Sequence, residues 1–249
     1  MSRVKPVFRC DEALKRKFSA SKCLLTISVG QEVHEGEKFL STVHLVDRNF
    51  NACIMLIDDT LQRHTMAMQA GLEEGDEMLD ASLKAGDAWL NRNRAAYSQM
   101  HIPLVIIRWN EFLLHKKYAF FKSMLKETYK TDIAYQASFD KTIDQFLARY
   151  SRHHQEKNYV VDARARRLCL EYLLEECTAM CLWSELGCEF EVYPSYRNPA
   201  MDETHRRFIL PDFPKLLHAV SIKFKNKAQL SPQKFEFSPK VVENRAAFD

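Results

Sequence analysis

Glycine is scarce in this chain, with 6 among 249 residues. The few that occur form no G-x-G-x-x-G and no G-x-x-x-x-G-K-[ST], so the two common phosphate-cradling loops are absent. There is no G-x-S-x-G either, which argues against the strand-to-helix nucleophile turn of the α/β-hydrolases. No apolar run approaches the roughly 18 residues that a membrane span needs. The opening residues, MSRVKPVFRCDE, lack the apolar core of a secretory signal. Neither sign of charge dominates, with 36 Lys and Arg against 33 Asp and Glu. The net charge of +3 permits a nucleic-acid partner without arguing for one. Seven cysteines make an odd count, and several sit in apolar runs, as expected for free buried thiols in a reducing cytoplasm. Cys177, Cys181 and Cys188 share one stretch with His153 and His154 upstream. No paired C-x-x-C spacing accompanies them, so no metal site is expected.

What is present is a run of short apolar segments separated by helical ones. Cys23–Val29 reads as a strand stopped by Gly30. Glu37–Arg48 reads as an amphipathic helix with Phe39, Val43 and Val46 on one face. Asn51–Asp58 reads as a second, fully buried strand, 65–97 as a long polar helical region, and Ile102–Trp109 as a third buried strand. This βαβαβ order predicts a Rossmann-like α/β fold: a parallel sheet with helices on both faces. Helical periods follow over 111–128 and 139–151. A long helix is expected over 159–186, with Asp162 as its N-cap and Gly187 as its stop. Glu189–Tyr193 and Ala219–Lys225 read as closing strands. The expected organisation is one catalytic domain over 1–225 and an appended tail of unassigned order over 226–249. In such sheets ligands bind outside the carboxyl ends of the strands, which points to Ser28, Asp58, Asp59 and the segment after Trp109.

Three features there could carry chemistry, and each has a plain structural reading beside it. Ser28 ends the first strand, where Gly30 can make a tight turn that presents backbone N–H groups to an oxyanion. A serine satisfying that turn explains the position as well. Tyr172 and Glu176 stand four residues apart on one face of the long helix, a face shared with Leu168, Cys169 and Ala179. A glutamate there is either paired or used, or it marks the edge of the buried stripe in a helix rich in glutamate. Tyr193–Pro194 ends a strand, where a core tyrosine with a solvated hydroxyl is the ordinary reading.

Together these blocks resemble the tRNA-dependent cyclodipeptide synthases. Leu24-Leu-Thr-Ile-Ser-Val-Gly-Gln31 resembles the family's nucleophile block, Tyr172-x-x-x-Glu176 its helical pair, and Val192-Tyr-Pro-Ser195 its strand-end tyrosine. The resemblance spans roughly residues 20 to 225. Gln31 and Tyr193–Pro194 are similar to the branch that has no Asn after the serine block and Tyr-Pro in the third. The family's fold is similar to the catalytic domain of class I aminoacyl-tRNA synthetases, but this chain lacks their H-I-G-H and K-M-S-K-S signatures.

The resemblance implies an aminoacyltransferase that joins the amino acids of two aminoacyl-tRNAs into a cyclic dipeptide. Its route is ping-pong, through an acyl-serine and a dipeptidyl-serine on Ser28, with Tyr172, Glu176 and Tyr193 as the other catalytic residues. It implies no cofactor and no metal. Leu24 and Thr26, which share the strand face of Ser28, together with Gly30, Gln31, Met55 and Glu191, are the expected substrate-binding residues. Glu191 there would favour a small or polar amino-acid side chain. Lys84, Arg92 and Arg94 form the expected tRNA-binding cluster, with Arg164, Arg166 and Arg167 and with Lys223, Lys225 and Lys227 as other candidates. A cytoplasmic monomer with no membrane partner is expected. Two other classes stay open at this point: a synthetase-like tRNA-binding protein without chemistry, and an unrelated nucleotide-binding transferase.

Overall fold

The computed structural model describes residues 4–153, 162–211 and 217–226. A strand β1 (Val4–Arg9) and one helical turn α1 (Glu12–Lys15) lead into β2 (Lys22–Ser28), α2 (Gly36–Asp47) and β3 (Ala52–Asp58). Helices α3 (Arg63–Ala70) and α4 (Asp76–Tyr97) precede β4 (Leu104–Arg108). A helical stretch follows: α5 (Asn110–Leu113), α6 (Tyr118–Thr131), α7 (Ile133–His153) and α8 (Ala163–Trp183). The described residues end with β5 (Phe190–Tyr193), α9 (Pro199–Thr204) and β6 (His218–Asn226).

The six strands form one sheet in the order β1-β6-β5-β2-β3-β4. Every pairing is parallel except β1 with β6. β2 and β3 are buried along nearly their whole length, which is why both read as continuous apolar runs rather than alternating ones. One face of the sheet, through Leu24, Ile54 and Leu56, packs against α6, α7 and α8. The other, through Leu25, Ile27, Met55 and Ile57, packs against α2 and Trp89 of α4. The expected fold class holds: a mixed, mostly parallel sheet with helices on both faces.

The chain steps outward from β2 to β3 and β4, then returns to build β5 and β6 on the other side of β2. The order therefore reverses between β2 and β5, and the crevice at their carboxyl ends is where such a sheet binds ligands. Ser28 ends β2 and Tyr193 ends β5.

Three expectations are corrected, and the N-terminal strand β1 had no expectation behind it. β4 is an edge strand rather than a buried one: Val105 is 54% and Ile106 36% exposed. The helical region 65–97 is two helices, because Gly71 takes a left-handed φ of 74° and ends α3. The region 111–128 is likewise divided, into α5 and α6. The Asp162 carboxylate accepts the Ala165 amide at 2.7 Å and Gly187 sits at φ 65°, so both expected ends of α8 hold. Residues 159–161, His154, Lys227 and the tail from 227 lie outside the described residues.

Candidate active site

At the carboxyl ends of β2, β3 and β5 lies a cavity of about 730 Å³. Its wall includes Thr26, Ser28 and Gln31 after the first of these strands, Asp58 from the second, Tyr172 and Glu176 from α8, and Glu191 and Tyr193 from the third. The Ser28 and Tyr193 hydroxyls are 3.1 Å apart. Burial pushes the Tyr193 phenol up to about 12, so it stays protonated at neutral pH and can donate to the serine oxygen.

The serine is held from behind. Its own amide donates to His34 Nδ1 at 3.0 Å. Burial lowers the pKa of His34 to about 4, so the ring is neutral, with its proton on the other nitrogen. The Gln31 amide donates to the Ser28 carbonyl at 3.2 Å, closing a turn through Gly30 at φ 88°. Of the backbone N–H groups around Gly30, where an oxyanion site was expected, those of Ser28 and Gln31 are thus already engaged.

Glu176 is partly buried in the wall. Burial raises its pKa to about 7; an amide hydrogen bond from Asn198 opposes this and the Glu191 charge adds to it. The Asn198 donor is 3.4 Å away, and Asn198 also caps α9 by accepting the Met201 amide. Tyr172 is raised as well, by burial and then by Glu176 and Asp58. A carboxyl poised near neutrality beside a serine–tyrosine pair can bind an ammonium or carry its proton.

A CDPS from Fluoribacter dumoffii is 40% identical, covers 89% of this chain and 98% of its own, and superposes with a TM-score of 0.84. This chain belongs to the cyclodipeptide synthase family. More distant members show the same fold. The synthase of Candidatus Glomeribacter gigasporarum, solved bound to Phe-tRNAPhe, is 18% identical over 88% of this chain and 93% of its own, with a TM-score of 0.69. A Mycobacterium tuberculosis protein is 13% identical over 88% and 91%, with a TM-score of 0.60, and its description relates cyclodipeptide synthetases to type I tRNA synthetases. No protein-family model and no curated protein matches the chain.

In this cyclodipeptide synthase the four expected catalytic side chains all reach one cavity, as do Thr26 and Gln31. Three expected substrate contacts do not. Leu24 is fully buried in the core beneath the cavity. Met55 pairs with Leu25 and belongs to the opposite face, because Ser28 is in register with Asp58 and its face-mates on β3 are therefore 56 and 54. Gly30 shapes the turn and stays out of the wall. Glu191 does line the cavity, but Arg197 donates to it at 2.7 Å and both are buried, so its charge is already matched. This removes the charge on which the small or polar preference was based.

The basic clusters also sort out. Arg164, Arg166 and Arg167 are internal ties, bonded to Leu72 and Asp162, to Asp140 and Asp144, and to Glu73. On α4, Arg92 pairs with Glu35 at 2.7 Å, while Lys84 and Arg94 are exposed. Lys223 and Lys225 are exposed on β6.

Asn198, Arg197 and His34 carry no sequence signal of a place in this site, and Asp58 is marked only by its strand-end position. The Asn198–Pro199 pair is a legible helix start, an N-cap with proline at the next position, but nothing local says that the cap also faces Glu176. Beside the site, Asp59 is buried against Arg108, at 2.5 Å, and α4 crosses this pair at Gly86. A side chain on Gly86 would collide with the Asp59 carboxylate and lie 2.7 Å from Arg108 Nη2.

Proposed function

We propose that the enzyme takes both amino acids of its product from aminoacyl-tRNAs and passes the first through an ester on Ser28. The observation that carries this reading is the Ser28–Tyr193 hydroxyl pair, 3.1 Å apart, in a cavity whose wall presents Glu176. Ser28 Oγ attacks the aminoacyl ester carbon, and the tRNA ribose oxygen leaves with the proton. The ester is already activated, so the reading requires no ATP and no cofactor. Tyr193 donates to Ser28 Oγ and orients it. Glu176, with Tyr172, holds the α-ammonium of the acyl group by a charge-assisted contact. Glu176 then takes the proton as that amine attacks the second aminoacyl ester, which gives a dipeptidyl-serine. Attack of the free amine on the Ser28 ester closes the ring.

Gln31 and Tyr193–Pro194 support assigning the enzyme to the branch without Asn after the serine block. On the RNA side the reading uses Lys84 and Arg94, with Arg92 contributing once it leaves Glu35. That a distant neighbour is solved with Phe-tRNAPhe supports an aminoacyl-tRNA substrate. All seven cysteines are free thiols, which fits work in the reducing cytoplasm, and a monomer is part of the same proposal.

The test is mass spectrometry of the enzyme incubated with a mixed pool of aminoacyl-tRNAs, beside Ser28→Ala. The wild type should give cyclic dipeptide masses and an acyl adduct on the Ser28 peptide, and the variant neither. Charged tRNA bound without product or adduct would favour a tRNA-binding protein instead. On the RNA side, replacing Lys84 and Arg94 by Ala should weaken tRNA binding and reduce its salt slope by about 1 per charge.

A further inference from the structure

Asp58 stands beside Ser28 and has no structural return for its burial. The two residues are in register at the ends of adjacent strands, on one face of the sheet. Asp58 lines the cavity and is only 6% exposed, yet its Oδ1 has no hydrogen-bond partner among the described residues. Its sequence neighbour shows what a structural aspartate looks like here. Asp59 accepts from Arg108 Nε at 2.6 Å and from the Thr60 amide at 2.6 Å.

The groups that face Asp58 come from four sides. α8 presents Glu176 and Tyr172, β5 presents Glu191 and Tyr193, β2 presents Ser28, and its own strand end presents Asp59. Burial raises its pKa well above the ordinary value, and Glu176, Asp59 and Glu191 push it further, while a hydrogen bond with the Ser28 side chain works the other way. The nearby arginines are committed elsewhere, Arg108 to Asp59 and Asp87, and Arg197 to Glu191. A buried carboxyl so placed costs several kcal/mol unless something neutralises it. Arg149 and Arg197 reach the same cavity wall, but among the described residues no cationic group is among the charges that act on Asp58.

Two amines must lose protons in the reaction proposed above, and Glu176 serves the one on the acyl-serine. We propose that Asp58 is the acceptor for the other: it binds the ammonium of the second amino acid, takes its proton, and returns a proton to Ser28 as the ring closes. The amine nitrogen of the dipeptidyl group forms a bond to the Ser28 ester carbon, and the carbon–Oγ bond breaks. Asp58 takes the first proton from the ammonium and hands it to the departing Ser28 Oγ; the second proton, lost from nitrogen as the amide forms, goes to the freed Asp58 carboxylate and from there to solvent. The ligand class is an α-amine carried on an aminoacyl or dipeptidyl ester. This inference rests on the acyl-serine reading.

The experiment is single-turnover mass spectrometry of the full chain with aminoacyl-tRNAs from pH 5.5 to 9, comparing wild type, Asp58→Asn and Asp58→Ser. In both variants acylation of Ser28 should fall far less than product formation. Cyclic product should fall 10²–10⁴-fold, the range for loss of a proton-transfer group, and a dipeptidyl adduct should accumulate on Ser28. The residual rate should climb about tenfold per pH unit up to the amine's own pKa of about 8, since solvent then removes the proton. A purely structural Asp58 would show no such climb. Product formation within threefold of wild type in either folded variant overturns the proposal. So does a loss of acylation as large as the loss of product. If the wild type makes cyclic dipeptide with no Ser28 adduct, the acyl-serine reading fails and takes this one with it. Neither variant removes a partner that the fold relies on, so both should melt no lower than wild type.

Discussion

Glu175 and Glu176 follow one another on α8 and enter two different environments. Glu175 is fully buried and surrounded by donors: Arg63 grips it with two bonds of 2.7 and 2.5 Å, Trp109 Nε1 donates at 3.0 Å, and His64 Nε2 lies 3.4 Å away. Burial alone would raise its pKa, but His64 and Arg63 outweigh it and bring the carboxyl down to about 2. Glu176 meets one neutral amide at 3.4 Å, and burial wins, taking it up to about 7. The same desolvation therefore gives opposite outcomes, decided by whether cations are built in. On one side the partners belong to the protein, and the carboxylate holds the fold together. On the other the partner must arrive with the substrate, and the carboxyl stays reactive.

The contrast can be broken from either end. The largest expected effect is on turnover: Glu176→Gln keeps the shape but removes the proton acceptor, and cyclic dipeptide formation should drop 10²–10⁴-fold in a steady-state assay. Loss of less than fivefold would mean that Glu176 binds nothing essential. Next comes Glu175→Gln, which leaves Arg63 with the Thr60 carbonyl and, as its remaining carboxylate among the described residues, Glu74 at 3.9 Å. Breaking a buried pair this way should lower the unfolding free energy by about 3–5 kcal/mol in urea titrations at pH 7. An unchanged midpoint would contradict the structural role.

A third effect is linked to pH. The folded-state value of Glu176, about 7, lies above its ordinary 4.5, so the carboxyl costs nothing below pH 4.5 and its penalty grows as pH rises toward 7. Glu176→Gln should therefore be more stable than wild type by up to about 3 kcal/mol at pH 8, and equal to it at pH 4. Glu175 works with the opposite sign: its contribution is full above pH 4.5 and is lost as pH falls toward 2. The smallest effect belongs to Asn198→Ala. Losing the donor should move the activity limb of Glu176 upward by less than one pH unit, and losing the α9 cap should lower stability by about 1 kcal/mol. A downward shift of that limb would remove Asn198 from the account of Glu176.

The contrast between the two glutamates also marks how far the sequence was legible. Elements whose signals are local came through: the buried runs of β2 and β3, the amphipathic α2, and the two ends of α8. β1 stayed hidden because six residues containing Pro6 look unlike a strand, although an edge position tolerates proline. β4 misled in the other direction, since an apolar run does not say whether a second strand will cover it. In the site, Ser28, Tyr172, Glu176 and Tyr193 were readable because strand ends and helix periods are local features. Met55 failed because the period of two fixes faces within one strand but not the register between two. Arg63 and Trp109, which set Glu175 apart from Glu176, lie 112 and 66 residues away from it in the chain. No spacing rule carries that information.

Gly86 sets a limit on how this enzyme can change. A glycine inside a helix forgoes roughly 0.5–1 kcal/mol relative to alanine, so a search for stabilising replacements would try alanine there first. Here the added methyl would strike the Asp59 carboxylate, which α4 covers at that turn, and with it the Arg108 pair. In a saturation library this position should therefore tolerate nothing, while its exposed neighbours Ala88 and Asn91 accept most residues. For all the sequence freedom along the solvent face of α4, the helix is pinned to the sheet by an atom that is not there.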